Sequence, residues 1–185
     1  MENHETLFDS LVWLTAPQPE YDIAFDVKTD TAIYVLSRIS GEGKDRSVES
    51  GDIALSHSEI RDILELNKKY QKFVLVLNVG GVVDLTPVLE VDTILLMSQV
   101  GIASGDALCD VLFGKVYPSG KLTTTWAEIN HYPSTKGFGA RDDTYYHEGI
   151  YVGYRYFDTV GYQPMFPFGY GLSYTKFEIM LPQSH

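Results

Sequence analysis

Between Arg38 and Arg46 the chain reads Arg-Ile-Ser-Gly-Glu-Gly-Lys-Asp-Arg, which places Arg38, Glu42, Lys44, Asp45 and Arg46 within nine positions. Glu42 stands between Gly41 and Gly43, so the backbone is free to turn sharply and push a single carboxyl outward. A carboxylic acid held in this way suits proton transfer once burial against a substrate raises its pKa toward the working pH. The same residues also describe a surface turn with solvated charges, and taken alone they favour that simpler reading.

Other chemistries fit less well. Gly41-x-Gly43 could open a dinucleotide-binding fingerprint, but Arg46 occupies the place of the third glycine. No phosphate-loop motif occurs, and His4, His57, His131, His147 and His185 show no metal-ligand spacing, so neither a cofactor nor a metal is expected. Cys109 reads as a core residue on a helix rather than a nucleophile. Asp142 and Asp143 read as solvated loop charges and Glu148 as a structural residue. Eight of the 13 tyrosines lie between Tyr145 and Tyr174, which suits either a packed tail or a surface on which sugar rings stack.

The elements that must position Glu42 follow from hydrophobic patterning. The apolar runs Ala32–Leu36, Phe73–Val79 and Asp92–Met97 have the length and the β-branched content of buried strands. Ser56 and Glu59 have capping-box spacing and open a helix whose stripe is Ile60, Ile63 and Leu64, with Lys68 and Lys69 at its end. Between the second and third runs there is room for only a short helix. Ser104 is placed to cap a further helix carrying Leu108, Val111 and Leu112, with Gly114 just past its end. After Tyr117 the pattern predicts a turn and an alternating strand, "YPSGKLTTTW", then loops rich in Gly, Tyr and Phe wrapped over the sheet.

Strand and helix alternate, so the expected fold is α/β: a mostly parallel sheet with helices on both faces, an α/β sandwich with flavodoxin-like layering. Residues 1–30, broken by Pro17 and Pro19, read as an irregular segment, and residues 31–180 as the domain. In an open parallel sheet, ligands bind beyond the carboxyl ends of the strands. That rule selects the loops Arg38–Arg46, Asn78–Gly81 and Ser98–Gly101.

Three stretches resemble one family. "SRISGEGKDR" resembles the acid/base loop of glycoside hydrolase family 3, especially its bacterial β-glucosidases. "ALCDVLFGKVYPSGKLTTTW" resembles the helix, turn and strand further along the same domain, and "YYHEGIYVGYRYFDTVGYQPMFPFGYGLSYTKFE" the stretch that closes it. Order and spacing match over about residues 20–180. The chain differs at Thr123, where the family often has proline, and at Gln99-Val100, where many members carry Gln-Glu.

The resemblance implies a retaining β-glucosidase acting on a β-glucoside or oligosaccharide. In such an enzyme a (β/α)8 barrel supplies the nucleophile and most sugar contacts, and the sandwich domain lends the acid/base across the boundary. Glu42 matches the family's glutamate in Ser-Gly-Glu-Gly. No barrel is evident in this chain, and the sandwich itself reads as incomplete on its N-terminal side. Catalytic inactivity without a barrel partner is therefore expected, as is self-association through an unpaired sheet edge. A non-catalytic carbohydrate-binding or regulatory remnant of such an enzyme is the alternative.

The net charge of −11 argues against nucleic acid or an anionic membrane as partner, and no apolar run is long enough to span a bilayer. The segment "MENHETLFDS" lacks the features of a signal peptide, and a single cysteine fits a reducing compartment, so a cytoplasmic location is expected.

Overall fold

The computed structural model describes residues 29–39, 46–135, 143, 145–174 and 178. Its centre is a parallel three-stranded sheet in the order β1 (Thr31–Ser37), β2 (Lys72–Asn78), β3 (Ile94–Leu96). Thr31 pairs with Lys72 and the register runs without interruption to Ser37 with Asn78, while Leu75–Leu77 pair with Ile94–Leu96. The consecutive residues Leu75, Val76 and Leu77 are all buried. Neighbouring side chains on a strand point to opposite faces, so β2 is covered on both sides, and its sequence is apolar without alternation for that reason. The third strand is shorter than its apolar run predicts.

Helix α1 (His57–Lys69) begins at the expected capping box: the Glu59 amide donates to Ser56 Oγ at 3.2 Å, and the Ser56 amide donates to Glu59 Oε2 at 2.8 Å. Ile63 and Leu66 are buried, with Ile60 and Leu64 packed beside them. The connection from β2 to β3 contains a single 3-10 turn, Thr86–Val88, yet it buries Val79, Val83, Leu85, Val88 and Val91. Apolar side chains along an irregular crossover do here what a covering helix does elsewhere.

Helix α2 (Ser104–Leu112) departs from expectation at its start. Ser104 lies inside the helix after Ala103, and its hydroxyl donates to the Gly101 carbonyl instead of capping. Its end is as predicted. Gly114 has φ +69°, its amide donates to Val111 O at 3.0 Å, and the Lys115 amide donates to Asp110 O at 2.8 Å, the paired bonds of a Schellman motif. No side chain of α2 is buried, and Cys109 is exposed, which corrects its placement in the core.

The predicted strand after Tyr117 does not form. Trp126 and Phe166 make one antiparallel bridge, with N–H to O distances of 2.8 and 3.0 Å. Trp126, Leu122, Met165 and Phe166 join the core through side chains rather than through a ladder. A helix absent from the sequence reading, α3 (Tyr154–Val160), follows and closes at Gly161 in the left-handed region. Its aromatic and β-branched residues have low helix propensity; Phe157, fully buried, supplies the packing that holds it.

Candidate functional site

Glu42 lies among residues 40–45, outside the described residues. The residues that bound this segment are held by a compact ionic cluster at the carboxyl end of β1. The Arg38 amide donates to Asn78 O at 3.1 Å, which continues the ladder one residue beyond the strand. Its buried guanidinium faces Glu59 in a bidentate pair, Nη1 to Oε1 and Nη2 to Oε2, both at 2.8 Å. Nε donates to the Asp52 carbonyl at 2.7 Å, and Nη1 also reaches Ser37 O at 2.9 Å. A charge taken out of water needs such complete pairing.

Arg46 returns to the same place from the far side of the segment. Its Nε donates to Asp52 Oδ1 at 2.6 Å, its Nη1 to Val82 O at 3.1 Å, and the neighbouring Ser47 amide to Asp52 Oδ2 at 2.6 Å. A Cβ on Gly81 would stand 3.1 Å from Arg46 Nη1, so the absence of a side chain at Gly81 gives the guanidinium its room. Arg46 Nη2 is buried and has no hydrogen-bond partner among the described residues. Partial burial of Asp52 works against its charged form, but the Ser47 amide and the Arg46 guanidinium outweigh it and hold the carboxyl below its usual range. Burial, and then the nearby Glu59 carboxylate, push the Tyr34 phenol above its usual range.

The structure thus joins two of the three loops selected at the carboxyl ends of the strands, Arg38–Arg46 and Asn78–Gly81. In the third, the Gly101 carbonyl accepts from both the amide and the hydroxyl of Ser104, within the approach to α2. Arg38 and Arg46 were singled out in the sequence. Asp52 was not, and Glu59 was read only as a cap. Nothing local marks Asp52, because its partners lie across a turn and on another loop.

Tyr132, ahead of the tyrosine-rich segment, and the tyrosines within it divide between packing and surface. Tyr132 donates its hydroxyl to Thr125 O at 2.7 Å and accepts from the Ala127 amide at 2.8 Å, and burial pushes its pKa up to about 12. Its ring meets Phe157 edge-on at 5.3 Å, and His131 stacks on Tyr162 at 4.0 Å. Tyr145, Tyr146 and Tyr174 are exposed. Asn130, His131, Tyr132, Pro133, His147 and Tyr156 line an open groove of about 310 Å³. Asp143 is exposed, as expected, whereas Asp142 lies outside the described residues. Among the described residues no group of three or more His, Cys, Asp or Glu side chains is arranged to hold a metal, and no helix is long and apolar enough to cross a membrane.

The model of the Glycosyl hydrolase family 3 C-terminal domain matches residues 20–174. A beta-glucosidase of Ruminococcus albus is 43% identical over 155 residues, covering 82% of this chain and 16% of that protein. An exo-alpha-(1->6)-L-arabinopyranosidase of Bifidobacterium longum is 38% identical over 144 residues, 76% of this chain and 18% of that protein. Among solved structures, beta-glucosidase 3B of Thermotoga neapolitana in complex with glucose superposes with a TM-score of 0.76 at 43% identity, covering 80% of this chain and 22% of that one. The chain therefore spans about a fifth of the length of these relatives. With the parallel sheet and the matched segment in agreement, the chain belongs to glycosyl hydrolase family 3, by way of that family's C-terminal domain.

Proposed function

We propose that this chain is the acid/base-bearing domain of a retaining β-glucosidase, that Glu42 is the general acid/base, and that activity requires a (β/α)8 barrel supplying the carboxylate nucleophile. The observation that carries this reading is the position of Glu42 in the chain: it falls between Arg38, which continues the ladder past the carboxyl end of β1, and Arg46, which joins the same ionic cluster through Asp52, and that end is where parallel sheets present catalytic groups. Retaining glycosidases bring two carboxyl groups to about 5–5.5 Å of each other, and this domain would contribute one of them. Glutamic acid protonates the departing oxygen, and the resulting glutamate then deprotonates the water that hydrolyses the glycosyl-enzyme. The relatives from Ruminococcus albus and Thermotoga neapolitana are beta-glucosidases, which favours glucose as the glycone.

The chain alone is expected not to hydrolyse aryl β-glucosides, since general acid catalysis supplies only about 10²–10⁴-fold of the enhancement required. With a family 3 barrel supplied so that activity appears, Glu42→Ala is expected to slow substrates with poor leaving groups most. Activated aryl glucosides should give a burst and a stalled intermediate that azide rescues. Equal loss on all substrates, without burst or rescue, would mean that another carboxylate does this work. The groove beside His131 and the exposed tyrosines favour one second reading, a carbohydrate-binding module without catalysis. Glucose binding by the chain, with no activity on adding any barrel, would select it.

A further inference from the structure

The two ends of the sheet differ in what they show to solvent. At the amino end, Thr29, Asp30, Gln71, Lys72, Asp92 and Thr93 are exposed and polar, and Asp30 pairs with Lys72 at 3.4 Å. At the carboxyl end, Ile39 follows Arg38 and is 96% exposed, while the loop after β3 carries Val100, more than half exposed, and Ile102, fully exposed. Single aliphatic side chains in water are ordinary. Three on the loops of one end, set against an end that is polar, mark a surface suited to a partner. Adjacent strands lie about 5 Å apart, so the loops after β1 and β3 leave the sheet about 10 Å from each other.

The loop after β3 is held in shape. The Met97 amide donates to Leu77 O at 2.9 Å, Ser98 stands in the left-handed region at φ +57°, and Gly101, at φ +88°, gives its carbonyl to Ser104. A serine rarely adopts that conformation unless its surroundings impose it, so Val100 and Ile102 are displayed from a fixed backbone. Arg38 and Arg46 are paired with Glu59 and Asp52. The described part of this end therefore offers aliphatic contact, with its cations already satisfied.

We propose that Ile39, Val100 and Ile102 form the surface on which a family 3 barrel docks. This rests on the reading above that activity requires a barrel, and it adds where the barrel meets this chain. Two observations favour that occupant. The matched segment makes up only 16% of the Ruminococcus albus protein and 22% of the Thermotoga neapolitana chain, so in those proteins this domain belongs to a much longer chain. The surface also lies at the carboxyl end of a parallel sheet, the end whose loops face a ligand crevice. A second copy of the chain fits less well, because two copies at a net charge of −11 repel each other.

The experiment titrates the full chain with a family 3 barrel that is first shown to unfold cooperatively by itself. Calorimetry should show binding. Ile39→Asp combined with Ile102→Asp should weaken it about tenfold to a hundredfold, as charges forced into an apolar contact do, and Gln71→Asp at the amino end should leave it unchanged. All these side chains are exposed, so the urea midpoint of each variant should match that of the parent chain. A readout that needs no substitution is amide hydrogen exchange: adding the barrel should slow residues 98–103 about tenfold and leave residues 70–72 and 92–93 unaltered. No binding, binding indifferent to the double variant, or protection at the amino end alone would overturn the proposal. Self-association through Ile39 and Ile102 that the barrel fails to displace would make a second copy the occupant and overturn it equally. Docking at this surface without any activity would instead sink the catalytic reading, and activity that does not depend on Ile39 and Ile102 would sink the docking surface, so the two failures are told apart.

Discussion

The unit β1–α1–β2 and the stretch from β3 through α2 begin with similar sequence patterns and end with different structures. Both offer an apolar run followed or preceded by an amphipathic helix. In the first, Tyr34, Leu36, Ile63, Leu66, Leu75 and Leu77 bury one another. In the second, α2 buries no side chain, and Val100, Ile102, Phe113 and Val116 around it stand exposed. An amphipathic helix announces that it requires a partner, and the pattern is silent on whether the partner is present. Burial in α1 exists because β2 and the crossover lie beneath it. The apolar stripe of α2 faces no such surface among the described residues.

The largest effect expected from this contrast is on stability. Leu75→Ala removes a fully buried side chain from the central strand and should cost about 2–5 kcal/mol in urea unfolding of the chain. Leu108→Ala, on the half-exposed face of α2, should change stability by less than about 1 kcal/mol. Equal losses would show that α2 is packed in solution and that the contrast is not real. An intermediate effect is expected on association. The exposed side chains near α2 are large and apolar, which favours self-association despite the net charge of −11. Ile102→Asp combined with Phe113→Glu should shift sedimentation toward monomer without lowering the unfolding midpoint, and an unchanged size distribution would assign association to another surface.

The smallest effect is electrostatic and belongs to the well-packed unit. The Asp52 carboxyl has a folded pKa below its ordinary value of 3.8. A depressed carboxylate pKa stabilises the fold fully above the unfolded value, and that contribution disappears as pH falls through the folded one. The stability difference between the chain and its Asp52→Asn variant should thus be constant from pH 5 to 7 and close as pH falls below 3.8. A difference that persists at lower pH would mean that the loss comes from shape and not from charge.

Much of this architecture was legible beforehand. The Ser56–Glu59 box and the Gly114 terminus rest on interactions between residues near in sequence, where residue type decides geometry, and the three strands were marked by their apolar runs although their pairing joins residues as distant as Thr31 and Lys72. Ser104 apart, errors fell where distant contacts decide. Ser104 had the chemistry of a cap, but the turn at Gly101 offered its hydroxyl a carbonyl first. The segment after Tyr117 alternates as a strand does, yet it forms a single bridge, Trp126 with Phe166, and Leu122 bonds to Tyr170 and Gly169 without extending it into a ladder. Phe157 holds α3 in a segment that propensity reads as loop.

The sequence by itself determined the fold class, the family and the glutamate between two glycines, because periodicity and motif are properties of a string. The tertiary structure alone decided that Arg38, Arg46, Asp52 and Glu59 form one cluster. Their pairings reach from 6 to 21 positions along the chain, and charges at such separations meet only when the sheet and the turn after it bring them together. The same holds in reverse for Cys109 and the stripe of α2: hydrophobic type predicted burial, but burial requires a second surface, and only the three-dimensional arrangement settles whether one lies within reach.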